Sequence, residues 1–422
     1  MLLFLLSAFA QPSKDIQWNI GAQYAFRTQA WSNPDFDATT NDHTWSIQNT
    51  IRAQLSLTKG FLSLYTSIQD VREWGAETNS VLNTNPSLSL YEGYAQFNLQ
   101  NTKNWIRLGR QEFFLNDGRL FWHAPWNMAG KTFNGLRLHT QGDIWSYDLL
   151  GLMVQAPHIY TTSCDPETRD CTDFTPETIN SNGDLVFLSD VDVIIHPALT
   201  INPFALALLQ GPNTNNTARN RKIYNTGIML KGKPAPIISY LFHGIYQFGS
   251  ESPTISHSAW NLATNITLHS HAHSLRIFWE ESSGDANPND DVQHDFDIIY
   301  ASKLRFRGWG GMVGITNTRD IGLELKMATH KSTTVLATYH NFQMNNPAGN
   351  WYNINGKPYG TPNTHNTDAQ LGQEIDLRIN YKPQPHTLLQ FGAVYFQPQG
   401  HGAELTAGDP AFTSYLWLRN NI

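Results

Sequence analysis

Apolar and polar residues alternate along much of this chain. From Trp18 to Ala30 one parity carries Trp18, Ile20, Ala22, Tyr24 and Phe26, and the other Asn19, Gly21, Gln23 and Arg27. From Thr44 to Leu57 the polar parity is Thr44, Ser46, Gln48, Thr50, Arg52, Gln54 and Ser56, opposite Trp45, Ile47, Ile51, Ala53, Leu55 and Leu57. The pattern returns at Leu185–Ile195, where Asp190 and Asp192 oppose Val191, Val193 and Ile195, and at Ile321–Met327. A repeat of two residues reads as β-strand. Strands of ~9–11 residues with one apolar and one polar face suit a barrel that crosses a bilayer. A soluble sandwich or propeller also alternates, so the connections must separate the readings.

Some connections are very short: Thr58-Lys59-Gly60, Gln141-Gly142-Asp143, His196-Pro197-Ala198, Lys231-Gly232-Lys233-Pro234, His330-Lys331-Ser332 and Lys382-Pro383-Gln384-Pro385. Between them lie long polar stretches, among them Asn33–Asp42, Trp74–Pro86, Leu115–Lys131, Ala156–Asn182, Gly284–Arg319 and Pro347–Ala369. Short turns alternating with long loops match the periplasmic and external ends of an outer-membrane barrel. Aromatic residues near segment ends, such as Trp31, Trp45, Tyr91, Trp105, Trp145 and Tyr381, fit interfacial girdles. The spans number eighteen or twenty. The difference is whether Gly284–Arg319 is one long loop or adds a hairpin through Asp295–Leu304 and Trp309–Asn317. Either count is even and leaves both chain ends on the periplasmic side.

Composition narrows the class further. Aromatics make up 12% of the 422 residues and charged residues only 15%, against about a quarter charged in an ordinary soluble domain. No run approaches the ~18–20 apolar residues of a membrane helix. A formal net charge of −7 argues against a nucleic-acid partner, which calls for a basic surface. Residues 1–10, Met1 to Ala10, combine an apolar core with a small-x-small end at Ala8-Phe9-Ala10 and read as a signal peptide. The mature chain would start at Gln11, with 11–422 a single barrel domain. The two cysteines, Cys164 and Cys171, lie close together in an exported chain and are expected to form a local disulfide.

The stretch Arg107 to Leu138 carries the strongest local signal. It holds Arg107-Leu108-Gly109-Arg110-Gln111-Glu112, then Asp117-Gly118-Arg119, Trp126, and a returning Phe133-Asn134-Gly135-Leu136-Arg137. Shorter pieces follow in order: Ser283-Gly284-Asp285, Phe296-Asp297, Asn317-Thr318-Arg319-Asp320, Tyr339-His340-Asn341-Phe342, Trp351-Tyr352-Asn353 and Gly372-Gln373-Glu374-Ile375-Asp376-Leu377. Together they resemble the alginate export family of outer-membrane proteins. Asn134 stands where that family often has an acid, and Leu304–Met312 lacks the His and Asp expected beside its Gly-aromatic pair. The resemblance implies an eighteen-stranded barrel with Gly284–Arg319 as an external loop, and passage of an anionic polysaccharide.

With the polar parity inside, Arg27, Arg52, Arg137, Arg276 and Arg378 line the lumen. Guanidinium groups stay charged and grip carboxylates bidentately, and several weak sites in series let a solute both enter and leave. Arg107 and Arg110 have opposite parities, so one of the two faces in unless a bulge intervenes. Arg119 and Arg319 fall in loops that could fold inward as a constriction. Acids share the polar parity, including Asp148, Asp190, Asp192, Glu280, Glu374 and Asp376, and Arg–acid pairs across strands also simply stabilise a wet barrel. The expected pore-lining set is thus Arg27, Arg52, Arg107, Arg110, Arg119, Arg137, Arg276, Arg378, Glu374 and Asp376.

Other chemistry is thin. Asp285, Asp290, Asp291 and Asp295 could offer oxygen ligands to Ca²⁺, but without EF-hand spacing the bland reading, an acidic external loop, is favoured. The His269-Ser270-His271-Ala272-His273 run reads as a solvated turn. No Gly-x-Ser-x-Gly, P-loop or His-Glu-x-x-His motif appears, so no catalytic residue, resident metal or cofactor is expected. The leading expectation is an outer-membrane channel for an anionic saccharide or small anion, embedded in lipid. An export direction would bring in a periplasmic partner that supplies polymer. Its rivals are a plugged structural or adhesive barrel whose loops bind a partner, and a surface barrel hydrolase.

Overall fold

The computed structural model describes residues 16–422 apart from 41, 76–87, 100–101, 156–159, 164–172, 177–182, 212–219, 288, 303 and 361–363. Residues 1–10 and both cysteines, and with them the expected signal peptide and disulfide, lie outside the described residues. Eighteen long strands follow one another: β1 (Gln17–Ser32), β2 (Thr44–Lys59), β3 (Leu62–Glu73), β4 (Ser89–Asn98), β5 (Trp105–Gln111), β6 (Phe133–Gln141), β7 (Trp145–Gln155), β8 (Asp184–His196) and β9 (Leu199–Gln210). Then come β10 (Arg221–Ala235), β11 (Ile238–Ser250), β12 (Ser256–Ser270), β13 (His273–Ser282), β14 (Thr318–His330), β15 (Thr333–Met344), β16 (Gln370–Gln384), β17 (Thr387–Pro398) and β18 (Ala411–Asn421). Each pairs antiparallel with its neighbours in sequence, and β18 returns to pair with β1, Phe26 opposite Leu418, so the sheet closes and has no edge. Closure is reinforced where Ala22 and Ile422 exchange both backbone hydrogen bonds, at 2.9 and 2.7 Å. The 295–317 segment adds no hairpin to the wall, and the count is eighteen.

The outer face follows the apolar parity. Trp18, Ile20 and Tyr24 on β1, Ile51 and Leu57 on β2, and Ile321, Leu323 and Leu325 on β14 are all exposed. In water such a belt would be far beyond the few hundred Å² of apolar patch that soluble proteins tolerate. Against lipid it is the required surface, and the closed ladder leaves no unpaired backbone polar group facing the hydrocarbon.

Two expected turns move. Strands β10 and β16 continue through Lys231–Pro234 and Lys382–Gln384, and the chain reverses at 236–237 and 385–386. Pro234 and Pro383 each sit at a register shift in the ladder, where a residue with no N–H to donate costs nothing. The aromatic girdle is also thinner than expected. Trp31, Tyr91 and Trp105 turn inward: Trp31 shares the parity of Arg27, Tyr91 lies under the Arg52 guanidinium, and Trp105 lies under those of Arg107 and Arg137. Trp45 and Trp145 do face outward.

The interior departs most from a uniformly hydrophilic bore. On β7 to β9, Leu150, Leu152, Val186, Leu188, Phe204, Leu206 and Leu208 point inward and are buried. They pack with Phe113, Leu115, Leu120 and Phe121 of loop 112–132, and with Phe296, Ala301 and Ile315 of loop 283–317, in one apolar cluster. These strands are apolar on both parities, the pattern of a strand covered on both sides. A second cluster, Phe36, Met312, Val313, Phe342, Met344, Trp351, Leu371 and Phe396, roofs the opposite wall at the long-loop end. Two long loops therefore fold into the barrel and fill one sector, leaving a cavity against β1, β2, β16 and β18.

Candidate functional site

Charge fixes the inserted loop in place. Arg307, on loop 283–317, is fully buried, with Nη1 3.2 Å from Glu280 and 3.9 Å from Asp320. Trp309 N–H donates to Asp376 and Gly310 N–H to Glu374, both at 3.2 Å. Arg119, on loop 112–132, pairs with Asp117 and reaches Glu280 at 3.1 Å. His340 Nδ1 lies 2.8 Å from Asp320. Four wall carboxylates thus hold two loops by charge-assisted contacts. Gly308 is required here: its φ is +76°, and a Cβ would collide with the Glu374 carboxylate. Burial lowers the pKa of Arg119 from the ordinary arginine value, with the Glu280 charge opposing it.

Beside the anchored loop lies a cavity of about 940 Å³ open to the long-loop end. Its charged lining residues are Arg27, Lys131, Arg305 and Arg378, with no carboxylate among them. Its aromatic lining is Trp31, Trp122, Trp126, Trp309, Tyr359 and Trp417. Trp126 is packed edge-on to Trp309, Tyr415 and Trp417, with ring centres 4.9, 4.7 and 5.3 Å away. Arg305, Trp309 and Arg378 also border a space of only about 30 Å³ deeper in the barrel, whose other charged lining residues are Arg119, Arg276, Glu280, Glu324 and Asp376. A second extension of about 200 Å³ runs past Pro125, Asn127 and Trp417 toward Arg52 and Arg419. The open space is therefore largest at the long-loop end and much smaller beside the anchored loop.

The arginines divide by partner. Arg137 pairs with Asp148 at 2.7 Å, and Arg276 and Arg378 share Glu324 at 3.4 and 3.3 Å. Among the described residues Arg27, Arg52, Arg107, Arg305 and Arg419 make no ion pair. Arg27 donates to Gln48 Oε1 (2.6 Å) and the Trp126 carbonyl (2.7 Å) and lies over the Trp126 ring. Arg52 donates to Gln23 and Gln69, both at 3.0 Å, and Arg107 to Gln96 at 2.7 Å. Arg305 lies over Trp122. Burial, then repulsion from Arg276, lowers the Arg305 pKa, though an arginine starts far above neutrality. Amides, carbonyls and ring faces orient these guanidiniums without neutralising them.

Two of the expected pore-lining residues, Glu374 and Arg110, are placed elsewhere, and Asp376 borders only the space of about 30 Å³. Glu374 and Asp376 are buried beneath loop 283–317, where they accept its Gly310 and Trp309 N–H groups. Arg110 stands opposite Gly93 and Asn134, on the outward parity of Leu108, because β5 stays in phase and only Arg107 faces in. Gly109 between them has φ +133°, and a Cβ there would strike the backbone of Gly93 and Tyr94. Arg119 does fold inward, but as an anchor. Arg319 belongs to β14, paired with Glu281 at 2.7 Å. Arg305, Arg307, Arg419 and the Trp126–Trp309–Trp417 group escaped the sequence reading. Parity cannot place loop residues, although Arg419 did share the parity of Tyr415 and Trp417.

Three of the four acidic loop residues are occupied locally. Asp285 accepts the N–H groups of Asn287 and His294, Asp290 that of Val292, and Asp295 those of Asp285 and the Tyr352 hydroxyl. No group of three or more His, Cys, Asp or Glu side chains is placed to hold a metal among the described residues.

A closed barrel with a lipid-facing exterior, short turns at one end, and long loops narrowing a polar passage defines a bacterial outer-membrane channel. Solved structures share this architecture. OpdO of Pseudomonas aeruginosa superposes with a TM-score of 0.64 at 11% identity, covering 96% of this chain and 97% of that one. The outer membrane protein opdK of the same organism gives 0.60 at 8%, covering 96% and 99%, and OccAB2 of Acinetobacter baumannii 0.59 at 11%, covering 96% and 98%. At these identities the likeness is one of fold. No curated protein matches the chain. The alginate export family model matches residues 16–418, and the chain belongs to that family. Its short turns face the periplasm and its long loops the cell exterior.

Proposed function

We propose that this outer-membrane channel passes an anionic saccharide or a small carboxylate-bearing solute. The observation that carries the reading is the lining of the 940 Å³ vestibule: four cationic side chains, six aromatic ones and no carboxylate. Guanidiniums pair with carboxylates, and flat aromatic faces suit the apolar faces of sugar rings, so the two together fit a uronate better than a neutral sugar or a cation. The family match supports the polysaccharide end of this range. Arg27, Arg52, Arg305 and Arg419 bind and relay the anion; no covalent step is involved.

A second reading has one observation in its favour. The Trp126–Trp309–Tyr415–Trp417 contacts and the anchored loop close down the passage, as a plugged barrel with partner-binding loops would require. Planar-bilayer recording separates the two. A conducting channel should reverse toward the anion equilibrium potential in a KCl gradient, and Arg27→Glu should move reversal toward the cation side. Glucuronate should flux into liposomes faster than glucosamine. No conductance at any voltage from folded protein would establish the plugged reading, and cation selectivity in the unaltered protein would overturn the anionic substrate.

A further inference from the structure

Strand β5 carries an arginine the passage does not use. Arg110 has the lipid-facing parity, and its Nε donates to the Tyr91 carbonyl at 3.2 Å. A charge on that face is expensive at the bilayer midplane and tolerated near the interface, so its position needs a partner at headgroup level. The barrel wall is low here. Strand β5 has 7 residues and β6 has 9, against 16 in β1 and β2 and 12 in β3. Loop 112–132 leaves β5 by turning into the lumen rather than extending the wall.

At this step lies a cavity of about 430 Å³. Its lining joins Leu90 and Met153, both exposed on the lipid side, to Gln69 and Tyr300 of the interior. Arg110 and Lys131 supply its charge, and no carboxylate lines it. We propose that this notch holds a phosphate-bearing lipid of the surrounding leaflet. The phosphate pairs with Arg110 and Lys131, and an acyl chain lies along Leu90 and Met153. Guanidinium matches phosphate geometry bidentately, and the apolar side of the notch is continuous with the membrane, which a free anion would not need. Lys131 also lines the vestibule, so Arg110, which does not, is the residue whose removal tells the two sites apart.

Native mass spectrometry of the full barrel in an uncharged detergent tests it, with dioleoylphosphatidylglycerol as the probe and dioleoylglycerol and inorganic phosphate as comparators. The unaltered protein should retain phosphatidylglycerol and neither comparator. Arg110→Gln should weaken retention by about tenfold, the loss expected for one charge-assisted partner, while leaving ion selectivity in bilayers unchanged. Thr132→Asp, which adds a carboxylate to the lining from a loop, should weaken it as well and guards against misfolding of the strand variant. Equal retention by both variants, or equal retention of dioleoylglycerol, would overturn the proposal. Displacement of the lipid by inorganic phosphate alone would show a free-anion site instead.

Discussion

The inserted loop should be releasable by removing one side chain, Arg307. Its guanidinium is fully buried between Glu280 at 3.2 Å and Asp320 at 3.9 Å. Arg307→Met keeps most of the volume but leaves those carboxylates, with Glu374 and Asp376 nearby, short of one positive charge. Removing one partner of a buried pair typically costs about 3–5 kcal/mol, because the other charge is left uncompensated. Glu280 retains Arg119 at 3.1 Å and Asp320 retains His340 at 2.8 Å, so the low end, about 3 kcal/mol, applies. At about 1.4 kcal/mol per factor of ten, the ratio of docked to undocked loop should fall by roughly a hundredfold. The barrel ladder does not involve Arg307 and should persist. In single-channel recordings Arg307→Met should show larger and noisier conductance levels than the unaltered protein, with the heat-modifiable gel mobility of a folded barrel. The double variant Glu280→Gln/Arg307→Met should recover part of the original behaviour. Identical conductance and noise in a folded Arg307→Met barrel would refute the anchoring role.

Other perturbations follow from the same geometry. Glu324→Gln removes the carboxylate shared by Arg276 and Arg378, so anion-to-cation permeability should rise, read as a shift in reversal potential. Inhibition of ion current by a uronate oligomer should weaken between 0.1 and 1 M salt, as the screening length drops from about 10 to about 3 Å; salt-independent block would point to stacking on the tryptophans alone. Phe121→Ala empties the centre of the loop-packing cluster, a change that commonly costs about 3–5 kcal/mol, and should expose loops 112–132 and 283–317 to protease added from the long-loop side. Burial, aided by repulsion from Arg52 and opposed by Glu112, lowers the pKa of His123. It is therefore neutral at pH 7, and His123→Gln should leave selectivity there unchanged, a difference appearing only in acid below the ordinary histidine range near 6.5.

Much of the wall was legible in the order of residues. Alternation in Trp18–Ala30 and Thr44–Leu57 marks β1 and β2 and their outward faces, because side-chain direction in a strand is a local property with period two. Segregated loop lengths marked the two ends of the barrel, since a hairpin turn leaves the chain on the same side as its partner turns. The direction of Arg27, Arg52, Arg137, Arg276 and Arg378 followed from the same parity. A clue to the filled sector was present too: Leu149–Val154 and Phe204–Leu209 are apolar on both parities, which a strand between lipid and water would not be.

Tertiary structure alone decided what the interior does. Whether an inward arginine faces solvent or a carboxylate depends on strands and loops far apart in sequence: Arg119 meets Glu280 across 161 residues, and Gly310 meets Glu374 across 64. The polar parity put Glu374, Asp376 and Arg27 on one footing. Loop insertion then separated them, engaging the two acids as anchors and leaving Arg27, itself buried against Trp126, on the vestibule lining. Loops carry no periodicity, so nothing local could tell that 112–132 and 283–317 turn inward. Their packing against Leu150, Leu188 and Leu206, and the ion pairs beneath them, set both the width and the sign of the passage.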